Sequence, residues 1–119
     1  MATNFKNIIA KDVGTQRVAV YTTPAATSTT IIGMNIANLT GSMVDCSVEI
    51  GDEASNIGYL VKDMPIAPNS SMKPIGKGEK IVMDATNVLY VTSNQTDSLD
   101  VILSIVAVSY THLTLPTKA

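Results

Sequence analysis

The chain has 119 residues, 45% hydrophobic and 15% charged, with a formal net charge of −2 at pH 7. That length suits one domain, which buries roughly two-thirds of the surface its unfolded chain exposes and so builds a core without staples. The weak negative charge, eight basic residues with no run among them, one Phe and no Trp argue against a nucleic-acid binder and against a stacked aromatic platform for bases or sugars.

The single cysteine, Cys46, excludes an internal disulfide framework and a cysteine-based zinc site. Met1-Ala-Thr-Asn-Phe-Lys-Asn7 has no long apolar segment, so no secretory signal is expected and synthesis in a cytoplasm is the default. The longest apolar run, Val101 to Val108 broken by Ser104, is too short to span a membrane.

Asn4 to Val13 carries Phe5, Ile8, Ile9 and Val13 and predicts a first strand or strand pair, ended by the turn Gly14-Thr15-Gln16. Arg17 to Thr22 alternates, with Val18 and Val20 on one face and Ala19 and Tyr21 on the other. Thr23 to Ser28 is a loop by composition. Thr29 to Leu39 is a strand with Ile32, Met34 and Ile36 on one face, and Gly33 opposite marks a bulge or a close backbone approach. After the turn Thr40-Gly41-Ser42, Met43 to Ile50 has the clearest strand signal. Period two turns Val44, Cys46, Val48 and Ile50 inward and Asp45, Ser47 and Glu49 to water.

Gly51 to Asn56 is a polar turn, and Ile57 to Asp63 a strand with Tyr59 and Val61 opposite Leu60 and Lys62. Pro65 and Pro68 then bracket a corner closed by Asn69-Ser70-Ser71. Proline cannot donate to a sheet ladder, so the chain there leaves a strand or follows a sheet edge. Met72-Lys73-Pro74-Ile75 is short, and Gly76-Lys77-Gly78-Glu79 a flexible turn. Lys80 to Met83, Val88 to Ser93 and Leu99 to Val108 complete the strands, separated by the turns Asp84–Asn87 and Asn94–Ser98. In the last strand Val101, Leu103 and Ile105 share one face, and Ile102, Val106 and Val108 the other. Two apolar faces mean a central strand buried between sheets, or an outer face covered by a partner.

Eight to nine short strands with regular turns and no helical stripe predict an all-β, antiparallel β-sandwich or jelly-roll domain over residues 1–108. Composition changes after that point. Ser109–Thr117 closely resembles a translated sequencing-adapter run found in reading frames assembled from environmental DNA, so residues 109–119 are expected to be a non-native tail. His112, the only histidine, is therefore set aside.

No residue set then meets the needs of catalysis. A nucleophile needs a base and an orienter, and no histidine remains for either. Cys46 sits at an inward strand position and reads as a buried, inert thiol. Asp45 and Glu49 share a strand face about 13 Å apart, beyond the spacing of paired glycosidase carboxylates. Gly51-Asp52-Glu53 and Asp97-Ser98-Leu99-Asp100 offer oxygen ligands without the spacing of a calcium loop. Gly76-Lys77-Gly78-Glu79-Lys80 lacks the Gly-Lys-Ser/Thr ending and helix of a phosphate loop. Asn38-Leu39-Thr40, Asn69-Ser70-Ser71 and Asn94-Gln95-Thr96 match glycosylation sequons that chance supplies in turn-rich sequence. No catalytic residue, metal or cofactor is expected.

The order of segments carries one resemblance. Ile32–Asn38, Val44–Val48, Tyr59–Ile66, Asn69–Ser71, Lys80–Met83, Val88–Ser93 and Ser98–Val101 together resemble small virion structural proteins of tailed bacteriophages, frequent in marine and other environmental phage genomes. The resemblance covers roughly Thr29 to Val108. It implies a small non-enzymatic β-sandwich of the virion, in tail, neck, baseplate or head decoration. Its partners would be other virion proteins and copies of itself, with no nucleic acid and no membrane. The alternative is a receptor- or glycan-binding fibre module working through Thr23–Ser28, Gly51–Asn56 and Asn94–Ser98, although those loops lack aromatic residues.

Overall fold

The computed structural model describes residues 2–52, 56–75 and 80–109, which form nine strands and no helix. They are β1 (Ala2–Val13), β2 (Val18–Thr22), β3 (Thr27–Asn38), β4 (Val44–Gly51), β5 (Ile57–Ile66), β6 (Ser71–Ile75), β7 (Ile81–Met83), β8 (Val88–Ser93) and β9 (Leu99–Ser109). The strands pair from the outside of the chain inward: β1 with β9, β2 with β8, β3 with β6 and β7, and β4 with β5, all antiparallel. That is one long ribbon with its turn between β4 and β5. Wrapping it adds the pairs β3–β9 and β4–β8. The products are a five-stranded sheet, β1-β9-β3-β6 with β7 also on β3, and a four-stranded sheet, β2-β8-β4-β5. Between sandwich and jelly roll, this strand order selects the jelly roll.

The core lies between the sheets and follows the period of two. Ile31, Met34 and Ile36 of β3 and Val101, Leu103 and Ile105 of β9 face Val44, Cys46 and Val48 of β4 and Leu89 and Val91 of β8. Tyr21 bridges the layers, its hydroxyl 3.1 Å from Thr29 Oγ1.

Several expectations are corrected. Asn4 to Val13 belongs to one strand, not a pair, because β9 templates its whole length apart from an irregularity between Ala10 and Val13. Ile32 points outward and Ile31 inward, since a bulge against β9 falls between Ile31 and Gly33. One extra residue shifts the alternation, so Thr27, Thr29 and Ile31 are buried before it, and Met34, Ile36 and Asn38 after it. The bulge expected at Gly33 is thus present. The close approach is not, as a Cβ there would meet nothing within 4 Å. Pro65 does not mark a corner. β5 continues through it to Ile66, and the corner is the turn that follows, with Asn69 at φ 53°.

Pro65 and Pro74 do lie on edge strands, β5 and β6, where a missing N–H costs no ladder bond. Gly14 has a packing reason for its identity. A Cβ there would sit 3.1 Å from Asp97 N, because the β1–β2 turn lies against the β8–β9 loop. β9 runs through Ser109, the first residue of the expected tail. Tyr110–Ala119 with His112, and Gly76–Glu79, lie outside the described residues.

Candidate interaction surface

The two sheets share a core and differ on their outer faces. On the five-stranded sheet, the cross-strand row Phe5–Val106–Thr30–Val82 runs over β1, β9, β3 and β7. Four residues along β1, the row Ile9–Ile102–Asn35 crosses β1, β9 and β3 beyond the Asn7–Ser104–Gly33 row. Phe5 is 75% exposed, Ile9 and Val82 61% each, and Ile102 45%, with Ile32 beside them also in water. β9 is central, as its apolar faces suggested, but the described residues do not fully bury its second face. Val101, Leu103 and Ile105 face the core, and Ile102 and Val106 face out. Between the rows, where β3 exchanges β7 for β6, Gly33, Asn35, Lys73, Ile102 and Ser104 line a depression of about 300 Å³. Lys73 Nζ donates to Asn35 Oδ1 at 3.1 Å across its rim.

On the four-stranded sheet the outer polar groups are held by neighbours. Glu49 keeps its outward position but is only 9% exposed, against the expectation of a solvated carboxylate. It lies between Tyr90 of β8 and Tyr59 of β5 in one row. Arg17 closes over it, 3.6 Å from Glu49 Oε2 with its guanidinium 3.9 Å from the Tyr90 ring centroid. Asp63 N–H donates to Ser47 Oγ, and Asp45 N–H to Asn94 Oδ1, each at 3.0 Å.

The remaining sequence candidates have structural partners. Cys46 is buried, and burial pushes its thiol up to about 12, which suppresses the thiolate that chemistry would need. Asp100 Oδ1 accepts from Asp12 N–H at 3.0 Å, holding the irregular end of β1 where Asp12 has φ 55°. Asp52 accepts from Asn56 N–H at 3.0 Å within its turn. Among the described residues no three His, Cys, Asp or Glu side chains gather as a metal site. The three loops of the fibre-module alternative do not start from one end of the sandwich. Thr22, Val88 and Gly51 stand together at one end of the four-stranded sheet, and Ser93 pairs with Cys46 towards the other. The loops after Thr22 and Gly51 therefore lie opposite Asn94–Ser98.

Asn38, which the sequence offers as a strand residue and a sequon, has a structural role of its own. Asn38 is buried at the end of β3, with Nδ2 donating to Ser42 O at 2.8 Å, Ile66 O at 3.0 Å and Ala67 O at 3.2 Å. Its Oδ1 accepts from Thr40 N–H at 2.9 Å and Thr40 Oγ1 at 2.8 Å. It ties the β3–β4 loop to the β5–β6 corner. The sequence signal was the Asn-x-Thr order itself, which suits an Asx turn as well as a sequon.

No family model and no curated protein matches the chain. Among solved structures it is similar to a chain of Bacillus endospore appendages, a family of disulfide-linked pili, with TM-score 0.55 and 7% identity over 91% of this chain and 87% of that one. It is similar to a chain of the acid-stable capsid of Helicobacter pylori bacteriophage KHP30, with TM-score 0.52 and 8% identity over 91% and 89%. A chain of the infectious bursal disease virus Gx strain gives TM-score 0.54 and 12% identity over 90% of this chain and 33% of that one, so this chain spans about a third of its length. At such identities the likeness is one of fold.

Proposed function

We propose that this chain is a non-enzymatic structural subunit of a bacteriophage particle, a tail, neck, baseplate or head-decoration component that joins other virion proteins and further copies of itself. The observation that carries the reading is the outer face of the five-stranded sheet, where Phe5, Ile9, Ile32, Ile102 and Val82 reach water from four strands, interspersed with Asn7, Thr30, Asn35 and Ser104. A monomer gains nothing from that arrangement, whereas an assembly buries it. The fold likeness to a phage capsid chain and a pilus chain supports the same class of role. The non-enzymatic part is supported by the buried thiol of Cys46 and by acids committed to turns and strand ends. Burial of Cys46 also speaks against subunits linked by disulfides through it, unlike the Bacillus pili.

Gene context tests the reading. The DNA flanking the coding sequence is expected to encode portal, capsid or tail proteins, and mass spectrometry of the purified particles should find the chain in them. Flanking genes of host metabolism would overturn it.

A further inference from the structure

Every sheet edge offers unpaired backbone groups, and native proteins blunt such edges with shortness, bulges or proline. Four of the five edge strands here are blunted. β2 has five residues and an irregularity between Ala19 and Tyr21. β5 carries Pro65 and two register shifts. β6 carries Pro74 and a register shift, and β7 has three residues. β1 is different. From Ala2 to Ala10 it pairs with β9 in unbroken register and contains no proline, and among the described residues no strand lies beside its opposite edge. Its residues from Ala2 to Asn7 are exposed on both faces.

We propose that β1 pairs antiparallel with β1 of a second copy of this chain, about a two-fold axis at Asn7, so that the two five-stranded sheets become one. This rests on the reading of the chain as an assembling subunit and names the contact. The register follows from the side chains. With the axis at Asn7, Phe5 stands opposite the second copy's Ile9, and Ile9 opposite its Phe5, on the outer face. The rows Val106–Phe5 and Ile9–Ile102 then run into one another across the junction. On the inner face Lys6 meets Ile8 and Asn4 meets Ala10, and all these pairs lie in the regular part of the strand. An axis at Lys6 sets two like charges directly opposite. An axis at Ile8 opposes Phe5 to Lys11 and Ile9 to Asn7, and draws in the irregular end of the strand. Directly opposed apolar pairs stabilise a sheet and opposed like charges destabilise it, so Asn7 is the favoured centre. Lys6 and its copy remain diagonal neighbours there, so added salt should tighten the pair.

The test uses the full chain in sedimentation equilibrium and oxidative cross-linking. The parent chain should be dimeric or an even multiple. N7C should form a disulfide-linked dimer under mild oxidant. V82C, also exposed but on β7, should not, and buried Cys46 stays silent. I9K and F5K alter side chains already in water, so melting by circular dichroism at the dilute limit should be unchanged while the dimer weakens at least about tenfold. A parent chain that stays monomeric, or N7C that cross-links no faster than V82C, overturns the pairing. Oligomers that survive both lysine variants also overturn it, yet leave the particle reading standing. Metabolic gene neighbours would sink the particle reading even if β1 pairs.

Discussion

The two sheets of this jelly roll bury equivalent inner faces and treat their outer faces in opposite ways. The four-stranded sheet satisfies itself. Arg17 closes over Glu49 and Tyr90, and the N–H groups of Asp45 and Asp63 donate to Asn94 Oδ1 and Ser47 Oγ. Its edge residues Ile57, Tyr59 and Met64 reach water, but Lys62 lies over the Tyr59 ring at 5.5 Å and Pro65 leaves the free edge of β5 without one donor. The five-stranded sheet leaves Phe5, Ile9, Ile102 and Val82 open beside a long, regular edge. One face covers its central acid with an arginine from its own chain, and the other leaves apolar side chains of four strands in water. Since the core is common to both, stability and assembly should separate by face.

The largest effect should come from the shared core. Leu103 is fully buried between the sheets, and Leu103→Ala removes its packing and leaves a cavity, so urea unfolding should show a loss of about 2–5 kcal/mol. Retention of parent stability would mean that β9 faces the other way. Next is the polar tie at one end of the sandwich. Asn38→Ala strands the carbonyls of Ile66 and Ala67 and the N–H of Thr40, and should cost about 1–3 kcal/mol in the same assay. Asn38→Asp keeps the acceptor for Thr40 but sets a carboxylate oxygen against the carbonyls of Ser42, Ile66 and Ala67, so it should recover none of that loss. Smaller again is Arg17→Ala on the outer face of the four-stranded sheet. It removes a partly exposed ion pair and a ring contact, each worth up to about 1 kcal/mol. Glu49→Gln in the Arg17→Ala background should then cost little, because the charge it removes has lost its partner.

What could be read in the sequence was what alternation encodes locally. Val44, Cys46 and Val48 face inward as their period required, and Val101, Leu103 and Ile105 do the same. Pro65 and Pro74 mark edges, because the missing donor is a property of the residue. What could not be read depends on residues distant in the chain. The Ile31–Ile32 reversal follows from pairing with β9, where one residue of β3 has no opposite number. Glu49 looked like an ordinary outward acid, and only the fold brings Arg17 over it. The second apolar face of β9 was visible as a pattern. Whether a sheet or water lay against it depended on which strands wrapped around which, and the topology gives water. Asn38 shows the limit of motif reading, since one Asn-x-Thr order serves a sequon on a surface and a turn in a corner.

The smallest expected effect is the most discriminating one. Ile102 lies next to Leu103 on the same strand, with Ser104 following, yet faces outward at 45% exposure. In the isolated chain Ile102→Ser deletes a side chain that water already reaches, so unfolding should change by no more than about 0.5 kcal/mol. Two neighbouring residues of one strand would then differ several-fold in their worth to the fold. If the open face is an assembly surface, the same substitution should lower the concentration-dependent part of the melting temperature, because only the associated state buries Ile102. The parent chain should therefore melt higher as its concentration rises, and Ile102→Ser should flatten that slope while leaving the dilute-limit melting temperature alone. A dilute-limit loss as large as that of Leu103→Ala would mean that the outer face is packed within the chain, and the contrast between the two sheets would fail.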